Sequence, residues 1–214
     1  MRFTIFVIFL LIVGCQNPEI SISIPSCTLP NDSCVSDAVK GFVYPLKQKH
    51  QFACWATVLT MMESWKEQQL LTPQMVLQRY GDKFKKLYDR SDTAGILIQD
   101  EIELYKKAGI EIERQLDPSI EGWSEFIRDF GPLSITIDAN PPYGGTVHAL
   151  LIVGIYGAID GQKTTIIYID PSDGKIHSSP FMNFLKMYEA KFAVDWPVQI
   201  IHFPSMTKDS LTVN

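Results

Sequence analysis

The segment Gln48-Lys49-His50-Gln51-Phe52-Ala53-Cys54-Trp55-Ala56-Thr57 sets a cysteine at the start of an apolar helical stripe. There the unpaired backbone N–H groups and the helix dipole favour an anion, and for cysteine that anion is the nucleophilic thiolate. With an imidazolium beside it, such a thiol falls from about 8.5 to about 3.5–7.5. The cysteine's own N–H can face the oxyanion formed at an attacked carbonyl, with a side-chain amide as second donor. Gln48, six residues upstream, has the reach to turn its amide toward that point. Gln51, three upstream, is a weaker competitor.

A nucleophilic cysteine needs a base, and the histidines are His50, His148, His177 and His202. His148 opens an apolar strand after Tyr143-Gly144-Gly145-Thr146-Val147, and strand ends beside loops are where catalytic side chains concentrate. That strand runs to about Tyr156, turns near Asp160-Gly161 and returns through Ile166–Ile169 to Asp170-Pro171. With the turn centred there, residue 170 returns opposite about residue 151, which brings Asp170 to the His148 end of the hairpin. A carboxylate at that place accepts from the far imidazole nitrogen, fixes the tautomer and favours the imidazolium. Pro171 stops the strand and leaves the carboxylate at the sheet edge. His50 lies on the loop before Cys54 and lines a cleft without serving as base; His177 falls on a short exposed strand and His202 on the last strand. Singly, each group has a structural reading: a buried thiol, a satisfied core histidine, an Asp-Pro turn. Their order and context together point to chemistry.

The elements that must position these groups are legible from periodicity. Trp55, Val58, Leu59 and Met62 follow the helical stripe, ending near Gln68–Leu70. Thr72-Pro73 caps a second helix closed by Gly81, and Ser91-Asp92-Thr93 introduces a third, with Ile98, Ile102 and Tyr105 on one face and Gly109 beyond its end. Ile110–Gln115 alternates as a strand. Ser119 caps a fourth helix bearing Trp123, Phe126 and Ile127, which stops before Gly131-Pro132. Thereafter the period is two: Leu133–Asp138, His148–Tyr156, Thr164–Asp170 and Val198–Phe203 read as strands, with a short helix from Ser179-Pro180 through Met187. Helices first and strands later is an α+β arrangement, two lobes with a cleft between them. Trp55 and Trp123 read as core.

The first fourteen residues place Arg2 before an apolar run of about a dozen, a secretory signal rather than a spanning helix, which needs about 20. Ile12-Val13-Gly14-Cys15 resembles a bacterial lipobox, which implies lipid on Cys15 and an exported, membrane-anchored protein, at the outer membrane or cell surface. Gln16 in place of Asp removes the usual inner-membrane retention signal. Residues 15–40 read as a tether rich in Pro and Ser; the globular domain spans 41–204, and 205–214 is a polar flexible tail. In an oxidising compartment Cys27 and Cys34 are a possible disulfide, a local staple stabilising by roughly 2–3 kcal/mol.

Taken together, the sequence resembles a papain-like cysteine peptidase, of the compact bacterial kind related to bacteriocin-leader peptidases and effector papain-like proteases. The matching features are Gln48 followed by Cys54-Trp55-Ala56, Gly131-Pro132 before a strand, Gly-Gly-Thr-Val-His148-Ala-Leu-Leu-Ile-Val-Gly154, and Ile169-Asp170-Pro171-Ser-Asp-Gly174. They cover about residues 42–203. The resemblance implies a helical lobe with the nucleophile at a helix start and an antiparallel β lobe. It implies Cys54 as nucleophile, His148 as general base and acid, Asp170 as the orienting group and Gln48 in the oxyanion hole. The substrate it implies is a peptide or protein. Three departures from the plant enzymes stand out: Ala53 precedes the cysteine where they have Cys-Gly, Asp replaces Asn, and only 94 residues separate Cys54 from His148, against ~130–150. The residues alone leave open transfer of the acyl group to an amine or a deamidase-type reaction, and also a non-catalytic surface-binding lipoprotein.

The remaining composition narrows the rest. The chain of 214 residues carries a formal charge of −5, with 46% hydrophobic and 20% charged residues and 4 Cys. That excludes a disordered chain and a disulfide-dense scaffold, and the acidic balance argues against nucleic acid as a partner. No phosphate loop, metal-ligand cluster or dinucleotide fingerprint occurs, so no cofactor or metal is expected.

Overall fold

The computed structural model describes residues 19–26, 34–114, 119–139, 146–159, 163–190 and 195–205. The signal segment, Cys15, Cys27, residues 143–145, the Asp160-Gly161 turn and residues 206–214 lie outside them.

Helix α1, Cys54–Glu67, is the central post, with every residue from Trp55 to Trp65 buried. It tolerates polar residues in the core because they bond back to their own helix. Thr57 Oγ1, Thr60 Oγ1 and Ser64 Oγ donate to the carbonyls of Ala53, Ala56 and Thr60 at 2.7–2.9 Å. Gln68 ends the helix in the left-handed region, as the sequence expectation placed it. Helix α2, Pro73–Tyr80, starts where Thr72 Oγ1 accepts from the Met75 N–H. Helix α3, Asp82–Asp89, follows at once and was not foreseen: only Phe84 and Tyr88 are buried in a lysine-rich stretch, too sparse a stripe to read.

Helix α4, Ile98–Lys107, begins several residues after the expected start at Ser91-Asp92-Thr93, which form turns instead. Its inner face also differs: Glu101, Leu104 and Tyr105 are buried, while Ile102 is 40% exposed. Strand β4, Glu111–Glu113, and helix α5, Ile120–Phe130, follow, the latter capped by Ser119 Oγ accepting from the Gly122 N–H at 3.1 Å. Gly131 closes α5 with positive φ, and a side chain there would run into the Trp65 ring of α1.

The sheet comprises β5 (Leu133–Asp138), β6 (Val147–Ala158), β7 (Thr165–Asp170), β8 (Lys175–Pro180) and β9 (Ile200–His202), with helix α6 (Phe181–Tyr188) between the last two. Its order is β4-β9-β5-β6-β7-β8, every pairing antiparallel. Three earlier segments add strands: β1 (Ile20–Ser21), β2 (Cys34–Ala38) and β3 (Phe42–Val43). β1 pairs with β3, while β2 lies on β6 in line with β5: Leu133 faces Ile152 and Ala38 faces Gly154. The tether expected over residues 15–40 therefore ends too late. Ser36 and Asp37 hid the strand, yet Asp37 is used inside the fold, accepting from Ser124 Oγ of α5. Cys34 is disulfide-bonded; Cys27, its expected partner, lies outside the described residues.

Helices α1, α5 and α6 pack on the sheet. Trp123 of α5 is fully buried and meets Phe184 and Tyr188 of α6 edge-on at 5.2 and 5.1 Å between ring centroids. This is the core role expected of it. The whole is the α+β class anticipated from the order of elements. Among the described residues no helix is long and apolar enough to cross a membrane.

Candidate active site

Cys54 is the first residue of α1 and a free, half-buried cysteine. No side chain among the described residues caps this helix, so the leading N–H groups of its first turn are available to an anion at Cys54. His148 is the second residue of β6, opposite Ile137 of β5, and Asp170 is the last residue of β7. The hairpin register puts Ile169 opposite Leu151, one residue from the expected pairing, with an irregularity between Ile152 and Gly154. Asp170 thus reaches His148: its Oδ1 is 2.8 Å from His148 Nε2. The same oxygen accepts from the Ser172 N–H at 2.7 Å. His148 and Cys54 line the same cavity, where the Cys54 side chain acts on the ring closely enough to raise its pKa.

These contacts set the charges. Burial pulls the His148 pKa down, but the Asp170 and Cys54 hydrogen bonds and charges outweigh it and raise it to about 9. For Asp170, burial works upward, while the bonds from His148 and Ser172 hold it well below the usual carboxylate range. An imidazole that keeps its proton at neutral pH, between a carboxylate and a sulfur, can exchange one proton with a thiol and hand it to a leaving group.

The turn after β7 fastens this corner. Pro171 carbonyl accepts from the Gln48 N–H at 2.7 Å, and Gly174 (φ +71°) lies so close to the next strand of chain that a Cβ would stand 2.6 Å from Lys47 N. The Asp-Pro-Ser-Asp-Gly motif is therefore a clasp onto the Lys47-Gln48 segment. Gly174→Ala is expected to cost about 2 kcal/mol or more, from left-handed strain and the collision, as a fall in the urea midpoint.

The Gln48 amide is occupied: Nε2 donates to the carbonyls of His50 at 3.0 Å and Gln51 at 2.7 Å, while Oε1 is buried with no hydrogen-bond partner among the described residues. Gln51 itself lines the cavity beside Cys54. His50 does not line that cavity: its Nδ1 is 2.8 Å from Asp92 Oδ2, and the ring packs edge-on against Tyr88. His177 sits on β8, stacked on Tyr168 and bonded to Asp173, and His202 is buried on β9 against Phe130. Both lie on strands as expected.

A cavity of about 400 Å³ opens beside the pair, walled by Phe52, Trp55, Ile96, Val147, His148 and Trp196 among others. Trp55 is thus both core and wall. Sequence reasoning misses Glu101, a buried carboxylate on the same wall, because hydropathy puts Ile102 on the inner stripe. Among the described residues no group of three or more His, Cys, Asp or Glu is disposed to hold a metal ion.

A free thiol at a helix start, set against a strand-borne histidine bonded to a carboxylate in an α+β fold, belongs to the papain-like class of cysteine peptidases. A family model described as papain-like cysteine protease AvrRpt2 matches residues 40–189, and the chain belongs to that family. It is a cysteine peptidase, a hydrolase acting on peptide or protein substrates. No curated protein matches the sequence.

Proposed function

We propose that the protein hydrolyses peptide or isopeptide bonds through a Cys54–His148–Asp170 triad. The observation that carries this reading is the His148 ring bonded to Asp170 at 2.8 Å on the same cavity that Cys54 lines from the start of α1. Cys54 Sγ attacks the scissile carbonyl carbon, and His148 gives its proton to the departing amine. The C–N bond breaks and a thioester remains. Water then attacks the thioester, its proton passing to His148, and the acid leaves as Cys54 is restored. Asp170 keeps the ring oriented throughout and favours its charged form whenever it holds the proton. The Cys54 N–H and Gln48 amide stabilise the oxyanion, with one Gln48 hydrogen leaving a loop carbonyl for the substrate oxygen. Gln48→Ala is expected to lower kcat by roughly 10–100-fold with little change in KM, since the oxyanion exists only in the transition state.

The same reading makes residues 1–14 an export signal and Cys15 the lipidated first mature residue, with Cys27 and Cys34 joined as a staple. Detergent-phase partitioning that is lost in Cys15→Ala tests the anchor. The test of the activity is a proteome-wide cleavage screen with the purified protein and its Cys54→Ala variant. New peptide termini that appear only with Cys54 support it. Identical profiles sink it, and labelled amines incorporated in place of water would make the enzyme an acyltransferase.

A further inference from the structure

The cavity beside Cys54 contains a buried acid that the triad does not use. Glu101, on the first turn of α4, is 6% exposed and lines the cavity where it meets a smaller one of about 10 Å³ that Tyr105 and Gln199 also line. Its Oε1 accepts from the Tyr105 hydroxyl at 3.1 Å and its Oε2 from Trp196 Nε1 at 3.3 Å. Both donors are neutral and both bonds are long, so each oxygen retains an acceptor position. No cation of the described residues pairs with it. Burial pushes its pKa up to about 7, against the Tyr105 and Trp196 bonds.

A carboxylate is costly to hold in such a place unless a charge partner arrives. The cavity that it lines is mostly apolar, with Phe52, Trp55, Ile96, Val147 and Ala149 beside the polar Gln51, Thr136 and Thr146. A mostly apolar cavity with a carboxylate on its wall fits a side chain with a methylene stem and a cationic tip. The geometry points to a specificity site, resting on the proposed triad, in which Glu101 receives the lysine or arginine tip of a substrate residue near the scissile bond. Hydrolysis at Cys54 is unchanged by this; Glu101 decides which peptides are presented to it. An isosteric neutral residue would leave the cavity without its anchor.

The test uses blocked peptides that differ at one position, lysine against norleucine, which keeps the stem and drops the charge. The position is scanned across both sides of the bond. At one position kcat/KM at pH 8 is expected to favour lysine by about tenfold or more, and in Glu101→Gln that ratio falls to near one whatever the absolute rates. A wild-type enzyme that cleaves both peptides equally at every position overturns the site, as does a ratio that survives in Glu101→Gln. Should Glu101→Gln not fold, the wild-type ratio itself is the readout. It falls as pH drops from 8 to 5.5 and the carboxylate takes up its proton; a flat ratio overturns the site. The other titratable groups around the cavity are Tyr105 from α4, Cys54 from α1 and His148 from β6, and their effects cancel in a ratio of two peptides on one enzyme. Calorimetric binding of the same peptides to Cys54→Ala separates the two claims. A lysine preference there with no turnover in the wild type supports this site while the triad reading fails; equal binding overturns the site.

Discussion

Cys54→Ala is expected to reduce kcat on any cleaved peptide by about 10⁴-fold or more while the protein melts within a few degrees of the parent. Removal of a nucleophile from a comparable catalytic triad costs about 10⁶, because the remaining groups have nothing to activate. Alanine suits the start of a helix, and Cys54 is half-buried at a cavity wall, so the fold loses one sulfur and little packing. Cys54→Ser is expected to be nearly as inactive: the ring still stands between Asp170 and residue 54, but a hydroxyl gives up its proton far less readily than a thiol. Intact-mass measurement during turnover supplies the second readout. An acyl adduct should form on the parent and be absent from both variants. A Cys54→Ala protein with more than about 1% of parental kcat would remove Cys54 from the mechanism.

Asp170→Ala is the second large effect, about 10²–10³ in kcat/KM, and its signature is a moved pH limb. In the parent, His148 holds its proton up to about 9 because Asp170 and Cys54 together overcome burial. Without Asp170 burial prevails more fully, the ring deprotonates at lower pH, and the alkaline limb of kcat/KM shifts downward. Asp170→Asn keeps an oxygen acceptor at Nε2 but removes the charge, so it should orient the ring and still shift the limb, with a smaller loss of rate. The same pair makes stability depend on pH. His148 is raised above its ordinary 6.5, so its contribution is complete below that value and is lost as pH rises through about 9. Asp170 is depressed below its ordinary 3.8, so its contribution is complete above that value and is lost as pH falls further. Thermal midpoints measured from pH 3 to 10 should therefore decline on both sides in the parent and flatten in Asp170→Ala. An unmoved limb in both variants would show that Asp170 does not set the His148 charge.

The site was legible in the sequence wherever local geometry determines placement. A cysteine at the first position of an apolar stripe could only begin α1, and a hairpin of roughly known turn brings the residue before Pro171 to the His148 end, wherever a one-residue slip falls. The Gly174 clasp was visible as a turn, but its landing on Lys47 depends on a chain segment more than a hundred residues away. Strand β2 was hidden for the same reason: Asp37 and Ser36 look like tether until Ile155 and Tyr156 lie beside them. Glu101 was missed because hydropathy ranks Ile102 as the inward residue, and only the placement of Tyr105 and Trp196 makes a buried acid tolerable there. The occupied Gln48 amide was equally out of reach, since spacing gives reach and says nothing of which carbonyls compete for a donor.

The proposed catalytic pair is carried by α1, buried along most of its length, and by β6, which pairs with β2, β5 and β7. Elements of this kind open only when the whole molecule does, whereas turns and exposed helix starts open by local fluctuation. Amide hydrogens of Leu59–Ser64 in the buried middle of α1 and of Leu150–Ile152 on β6 should accordingly exchange at the slowest rates in the molecule, while those of residues 91–97, beside the cavity, exchange orders of magnitude faster. The nucleophile and its base would then keep their spacing until global unfolding. Substrate admission would instead be governed by a rim free to breathe on its own, so heating should erode selectivity before it erodes turnover.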